Sequence, residues 1–340
     1  MKLNGVELRS DFGDPLGETK ACRQESALFD FSFIHSARIS GERARRIVEA
    51  FSSRSLQSLL DGKILYAVRA DENGWAVSDL TIWKTAANTF EVMSGRAEDV
   101  TALLNFNDDD VQVEDVSEER AVLAVQGPLS LPALQQAGAD RGIADLEYFS
   151  FARTSIGSIP CIVSRIGYTG EDGFEVIPAR QNFDKLWKML AAHARPAGFI
   201  AADILRIEAG FVLFTNEFRL PVSPIEAGLG KFYSGPENWK PELKIVTFQA
   251  ETDALKPLPW QPPVKLSRSM SPGEIVVTSA CRSLSNGKII GFGYVPIATP
   301  KGAALKDKSG VFRNISQLQM PFYDWRKLRP RTNLLKTANE

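Results

Sequence analysis

A chain of 340 residues exceeds one typical domain and suits two or three. Its hydrophobic content of 44% supports packed cores and excludes global disorder. Forty basic residues against forty-one acidic ones leave a net charge of -1, without the basic excess that a nucleic-acid partner would draw on.

The N-terminus, Met1 to Glu18, is polar, with Asp11, Asp14 and Glu18 where a signal peptide would carry its apolar stretch. No apolar run approaches the ~20 residues that span a bilayer, so no membrane partner is expected. Ala44, Ile47, Val48 and Phe51 follow helical spacing, and the pattern predicts an amphipathic helix within 41–60 with Ser40 as its cap. Arg43, Arg45 and Arg46 form its solvated face. Short strands follow at Lys63–Val68, Trp75–Val77, Leu80–Trp83 and Thr89–Met93, the first two joined by an Asp71-Glu72-Asn73-Gly74 hairpin turn. A helix is predicted over Arg96–Leu104, then strands at Ala121–Val125, Cys161–Arg165 and Phe174–Ile177. Phe183 to Ala194 keeps helical spacing, and a helix over Ala201–Ala209 stops at Gly210.

After residue 230 the composition changes. Four prolines within 256–264 make an extended connector, and the β-like runs Glu274–Ser279 and Ile289–Val295 suggest a small C-terminal β-barrel. The fold class is α+β. Cys22, Cys161 and Cys281 are odd in number and far apart, which fits a reducing, cytoplasmic compartment and argues against a disulfide frame or a zinc site. With only His35 and His193 present, acid–base chemistry must rest mainly on carboxylates or tyrosines. No P-loop, Gly-x-Gly-x-x-Gly in a βαβ setting, Gly-x-Ser-x-Gly elbow or histidine pair occurs, which weakens four common enzyme classes.

Three segments carry most information. In Arg165-Ile166-Gly167-Tyr168-Thr169-Gly170-Glu171-Asp172-Gly173-Phe174-Glu175-Val176, three glycines in seven residues make a tight connection between two strands. By pattern alone, Glu175 is a strand carboxylate at a sheet surface. Asp79 sits in an apolar β-rich run where aspartate is disfavoured, so it either caps a turn or lines a pocket. Arg206 and Glu208, in Leu205-Arg206-Ile207-Glu208-Ala209-Gly210, read as polar positions of an amphipathic helix.

In order along the chain, these segments resemble the aminomethyltransferase (glycine-cleavage T-protein) family. Leu28-Phe29-Asp30-Phe31-Ser32 is similar to the family's Phe-Asp-Val-Ser, Ser78-Asp79-Leu80 to its Asp-Asp-Leu, and Val125-Gln126-Gly127-Pro128 to its Leu/Val-Gln-Gly-Pro. Gly167 to Glu175 resembles Gly-Tyr-Thr-Gly-Glu-x-Gly-x-Glu, Leu205 to Gly210 Leu-Arg-Leu-Glu-Ala-Gly, and Pro224 with Glu226 Pro-x-Glu. The resemblance implies a T-protein-like arrangement of three domains around a central folate cavity. These are a discontinuous folate-binding domain (1–40 and 120–240), an inserted α+β domain (41–119) and a C-terminal β-barrel (241–340). It also implies tetrahydrofolate as cofactor, Asp79 as the catalytic aspartate, Glu175 as the pterin-binding glutamate and Tyr168 as a tyrosine lining the cavity.

The chain departs from the family's pattern at Ala202, which stands where the family has arginine, at Gly95 in place of asparagine, and at Phe33-Ile34 in place of His-Met. These changes make the donor side less polar. They lead to a tetrahydrofolate-dependent methyltransferase that demethylates a small methylated donor as the first expectation. Aminomethyl transfer from a lipoyl carrier protein, giving 5,10-methylenetetrahydrofolate and ammonia, is the alternative, followed by a non-catalytic folate-binding protein or a detached module of an amine oxidase.

Overall fold

In a computed structural model, the described residues are all but 1, 4–5, 237–239, 254–258, 260–261, 263–265, 285, 319–320, 325 and 332–340. The chain divides into two compact units. One comprises Met1–Ala67, Asp79–Ala202 and Lys327–Glu340; the other comprises Val68–Ser78 and Asp203–Arg326.

The first unit holds a six-stranded sheet in the order Phe151–Ile156, Ile159–Ser164, Gly173–Pro178, Leu123–Gln126, Ala27–Asp30, Arg195–Pro196. All neighbours are antiparallel except the last pair. Leu123, Val125, Phe174 and Val176 alternate onto one face and pack against Leu131 and Leu134 of the Ser130–Gln136 helix and Leu186 and Leu190 of the Phe183–Ala191 helix. The middle strand, Gly173–Pro178, is buried at all six positions. Glu175 is therefore not at an exposed sheet surface, as pattern alone suggested.

A second sheet has the order Ile64–Ala70, Ala76–Ala86, Thr89–Ser94, His35–Ser40, Gln112–Asp115. Its apolar face packs on Ile47, Val48 and Phe51 of the Ala44–Ser52 helix and on Val100 and Leu103 of the Ala97–Leu104 helix. The predicted helix face is thus borne out, with Arg43, Arg45 and Arg46 exposed. Its cap is not: Ser40 ends a strand, and the helix starts after Arg43 without a side-chain cap bond. The Asp71–Gly74 turn forms as expected, closed by Gly74 N–H on the Asp71 carbonyl at 2.9 Å. Beyond it, the two strands expected at Trp75–Val77 and Leu80–Trp83 are one continuous strand, Ala76–Ala86. Asp79 therefore sits inside a strand and caps no turn.

In the second unit, the C-terminal strands form a curled five-stranded half-barrel sheet, ordered Lys306–Asp307, Glu274–Arg282, Ile289–Pro296, Leu243–Glu251, Arg313–Leu318. An isolated bridge between Leu305 and Ile315 joins its two ends. Phe248, Ile275, Val277, Val295 and Phe312 form its core. Of the connector read at 256–264, only Pro259 and Pro262 lie among the described residues.

The Phe199–Ala209 helix ends where Gly210 was expected to stop it, but Arg206 and Glu208 are fully buried rather than on a solvated face. Arg206 donates to Asp203 Oδ1 (2.7 Å), Glu217 Oε2 (3.0 Å) and Ser279 Oγ (2.7 Å), so its charge is neutralised inside the unit. Glu208 accepts from Ser283 Oγ and the Leu284 N–H, each at 2.9 Å. Glu226 caps Ser223 N–H at 3.0 Å and binds Arg268 with both oxygens at 2.9 Å. These polar groups of the family motifs are structural, because a buried charge persists only when it is paired and hydrogen-bonded. Among the described residues no helix is long and apolar enough to cross a membrane.

Candidate active site

The site residues lie in the first unit. Two of the sequence motifs turn out to be one structure. Gln126, fully buried at the end of its strand, inserts its side chain into the glycine-rich loop. Its amide Nε2 donates to the carbonyls of Ile166 (3.1 Å) and Phe174 (3.4 Å), and Oε1 accepts from Thr169 Oγ1 at 3.0 Å. A Cβ on Gly167 would fall 1.9 Å from Gln126 Oε1, and one on Gly173 would fall 2.6 Å from its amide carbon. Glycine is needed at both ends because the loop wraps directly around this amide. The loop so fixed carries Tyr168 at its apex and delivers the chain into the strand that bears Glu175.

Asp79 is half-buried and accepts a hydrogen bond at Oδ2 from Tyr66 Oη, at 3.1 Å, from the neighbouring strand. Burial, the Asp79 charge, the hydrogen bond to it and nearby Tyr168 hold the Tyr66 phenol well above its usual range. Tyr66 therefore stays protonated at neutral pH and acts as a fixed donor to Asp79. The structure thus pairs Tyr66 with Asp79, and Tyr168 is near enough to act on Tyr66 electrostatically. The sequence reading missed Tyr66, although a signal existed. It lies five residues before Asp71, and Asp79 lies five after Gly74, so a tight turn at 71–74 sets them on facing strands.

Glu175 stands on the other sheet, opposite Ser164 and Ala124. Its carboxyl is buried, and among the described residues no hydrogen bond or ion pair reaches it. Burial alone pushes its pKa up to about 7. Burial disfavours the charged form of a carboxyl that no cation or donor offsets, which is the cause of this shift.

At the positions that depart from the family pattern, Phe33 is half-buried. Its ring packs edge-on against Phe31 (5.8 Å) and Phe199 (5.9 Å), the latter opening the helix that carries the buried Ala202. Aromatic packing and a methyl group occupy these two places. Among the described residues no group of three or more His, Cys, Asp or Glu side chains is placed to hold a metal ion.

Comparison with known proteins agrees with the motif resemblance. The family profile of the GCVT N-terminal domain matches residues 9–234, and the chain belongs to this family. Aminomethyltransferase from Clostridium botulinum (strain 657 / Type Ba4) is 34% identical over 238 residues, covering 67% of this chain and 64% of that protein. Aminomethyltransferase from Bacillus licheniformis is 34% identical over 237 residues, covering 67% of this chain and 65% of that one. The match therefore spans a little under two thirds of these relatives' length. The crystal structure of glycine cleavage system aminomethyltransferase T from Bartonella henselae superposes with a TM-score of 0.77, at 22% identity, over 96% of this chain and 94% of that one. The mixed α/β fold is thus that of the T-protein.

Proposed function

We propose that this member of the GCVT family is a tetrahydrofolate-dependent aminomethyltransferase, with Glu175 holding the pterin, Tyr168 lining the cavity and Asp79 as the catalytic carboxylate. The single observation that carries the folate reading is the carboxyl of the buried Glu175, which has no hydrogen-bond or ion-pair partner among the described residues. A pterin offers an amino group and a ring N–H side by side, a bidentate match to one carboxylate. Tetrahydrofolate, when bound, supplies the nucleophilic nitrogens that accept the one-carbon unit. Asp79 would orient the reacting amine and manage its proton, while Tyr66 keeps the carboxylate in one position and one hydrogen-bonding state. The arrangement we favour is of three domains around a folate cavity, with 1–40 and 120–240 as the folate-binding domain, 41–119 inserted and 241–340 as the barrel-like module.

The sequence placed methyl transfer from a small donor first. The two relatives above, both named aminomethyltransferase, support the aminomethyl branch better, and we rank it above the demethylase. One observation keeps the demethylase as a second reading: the packing of Phe33 on Phe199, in the same helix as Ala202, gives an apolar lining where the family has polar groups. A single assay separates the two. Purified protein and tetrahydrofolate are offered a lipoyl carrier protein loaded with the aminomethyl group, or a panel of small N-, O- and S-methylated compounds. Ammonia and 5,10-methylenetetrahydrofolate from the carrier support aminomethyl transfer. Formation of 5-methyltetrahydrofolate from the panel, with the carrier inert, would replace it by the demethylase.

A further inference from the structure

Glu171, near the outgoing end of the glycine-rich loop, has a fully buried carboxylate set between two guanidinium groups from distant parts of the chain. Arg23, on the Pro15–Gln24 helix, reaches Oε1 at 3.0 Å, and the same Nη1 donates to the Thr169 carbonyl at 2.8 Å. Arg329, in the C-terminal segment, donates through Nε to Oε2 at 2.7 Å. Each carboxylate oxygen therefore has its own cation.

The two arginines are not equivalent. The Arg23 side chain is 9% exposed and belongs to a packed helix, whereas that of Arg329 is 36% exposed on an irregular segment. A turn closed by the Arg331 N–H on the Leu328 carbonyl (2.9 Å) places Arg331 close enough to Tyr148 to act on it electrostatically. Tyr148 feels Arg165 and Asp172 in the same way, and those two are paired at 3.0 Å across the loop's base. The C-terminal turn thus reaches the loop directly through Arg329 and Glu171, beside the Arg165–Asp172 pair.

The loop's own bonds explain why this matters. The Glu171 N–H donates to Thr169 Oγ1 at 3.3 Å, and that hydroxyl donates to Gln126 Oε1 at 3.0 Å. Thr169 and Glu171 are thereby tied down on both sides of Gly170, with Tyr168 next to the first tie. Most of these bonds are internal to the unit's core, whereas the Arg329 pair depends on a segment near the C-terminal end of the described residues, 158 residues away in sequence.

We propose that the Leu328–Arg331 turn is a strap over the glycine-rich loop and that Arg329, acting through Glu171, is a positioning residue that holds Tyr168 in place for tetrahydrofolate. The strap stands on the ion pair itself; its role toward the ligand rests on the folate reading above. A flexible loop must be ordered before its side chains can bind, so loosening it weakens binding while leaving the chemistry of bound substrate nearly intact.

The test uses the full chain, its Arg329→Gln and Arg329→Lys variants, and Arg313→Gln as a control at an exposed pair elsewhere. Amide hydrogen exchange without ligand should speed up about 10-fold or more at Thr169–Gly173 in Arg329→Gln, with the Leu243–Glu251 strand unchanged. Tetrahydrofolate should bind about 10-fold more weakly, with kcat changed by less than about 3-fold. Arg329→Lys, which keeps the charge, should recover most of both effects, and Arg313→Gln should show neither. Unchanged loop exchange in Arg329→Gln overturns the strap, whatever the folate result. Faster exchange with unchanged folate affinity overturns the positioning role. Failure of the wild-type protein to bind tetrahydrofolate overturns the folate reading and the positioning role with it, and leaves the exchange result to decide the strap.

Discussion

A Glu175→Gln protein should gain stability relative to wild type as pH rises, while losing affinity for tetrahydrofolate. Burial lifts this carboxyl from an ordinary 4.5 to about 7. Between those values the folded protein holds a proton that the unfolded chain has released, so wild-type stability falls as pH rises across that window. The full cost, about 3 kcal/mol, is present above pH 7 and absent below about pH 4. Glutamine does not titrate, so the stability difference between variant and wild type should grow by about that amount from pH 4.5 to 8, read from urea unfolding at several pH values. Glu226 titrates in the opposite sense. Its burial is outweighed by Arg268 and backbone N–H groups, which hold its carboxyl low, but it is common to both proteins and cancels. Donors from a pterin would favour the ionised form of Glu175. Binding near pH 6 should therefore release a proton from wild type and not from the variant, a difference that calorimetry in buffers of different ionisation enthalpy detects. Loss of a charged bidentate acceptor should weaken folate binding by about 2–4 kcal/mol. Parallel stability curves for the two proteins would refute the isolated, buried carboxyl, and unchanged folate affinity would remove Glu175 from the pterin site.

The other expectations are as direct. Asp79→Asn should retain folate binding while turnover falls roughly 10²–10⁴-fold, and near-normal turnover would reduce Asp79 to a structural role. Tyr66→Phe removes the donor to Asp79 and should lower kcat by about 10-fold with little change in folate affinity; an unchanged kcat would make the pair incidental. Gly173→Ala should cost about 1–3 kcal/mol by driving a methyl group into Gln126, and in a double-mutant cycle Gln126→Ala should relieve part of that cost. Arg206→Met should destabilise the second unit by about 3–5 kcal/mol, because Asp203 and Glu217 would be left as buried charges without their cation; a neutral effect in thermal unfolding would contradict this account.

Local chemistry made much of this protein legible before its structure. The helical spacing of Ala44, Ile47, Val48 and Phe51 specifies a buried face whatever it packs against, and Asn73-Gly74 specifies a turn wherever the hairpin lies. The glycines at 167, 170 and 173 announced a tight loop between strands, and the ordered motifs placed the chain in its family. What local pattern does not carry is the identity of the neighbour. Glu175 and Asp79 look alike in sequence, as single carboxylates in apolar strands. Only the tertiary structure gives Asp79 a phenol partner and, among the described residues, gives the Glu175 carboxyl none. Arg206 and Glu208 read as polar positions of an amphipathic helix because their side chains are charged, yet both turn inward, Arg206 onto Glu217 and Ser279 and Glu208 onto Ser283. Glu171 is the extreme case: its two cations lie 148 and 158 residues away, and no spacing rule connects them. A side chain's period along its own element is written in the sequence, but the charge, donor or ring that faces it comes from another element, and that pairing is decided by how the elements pack.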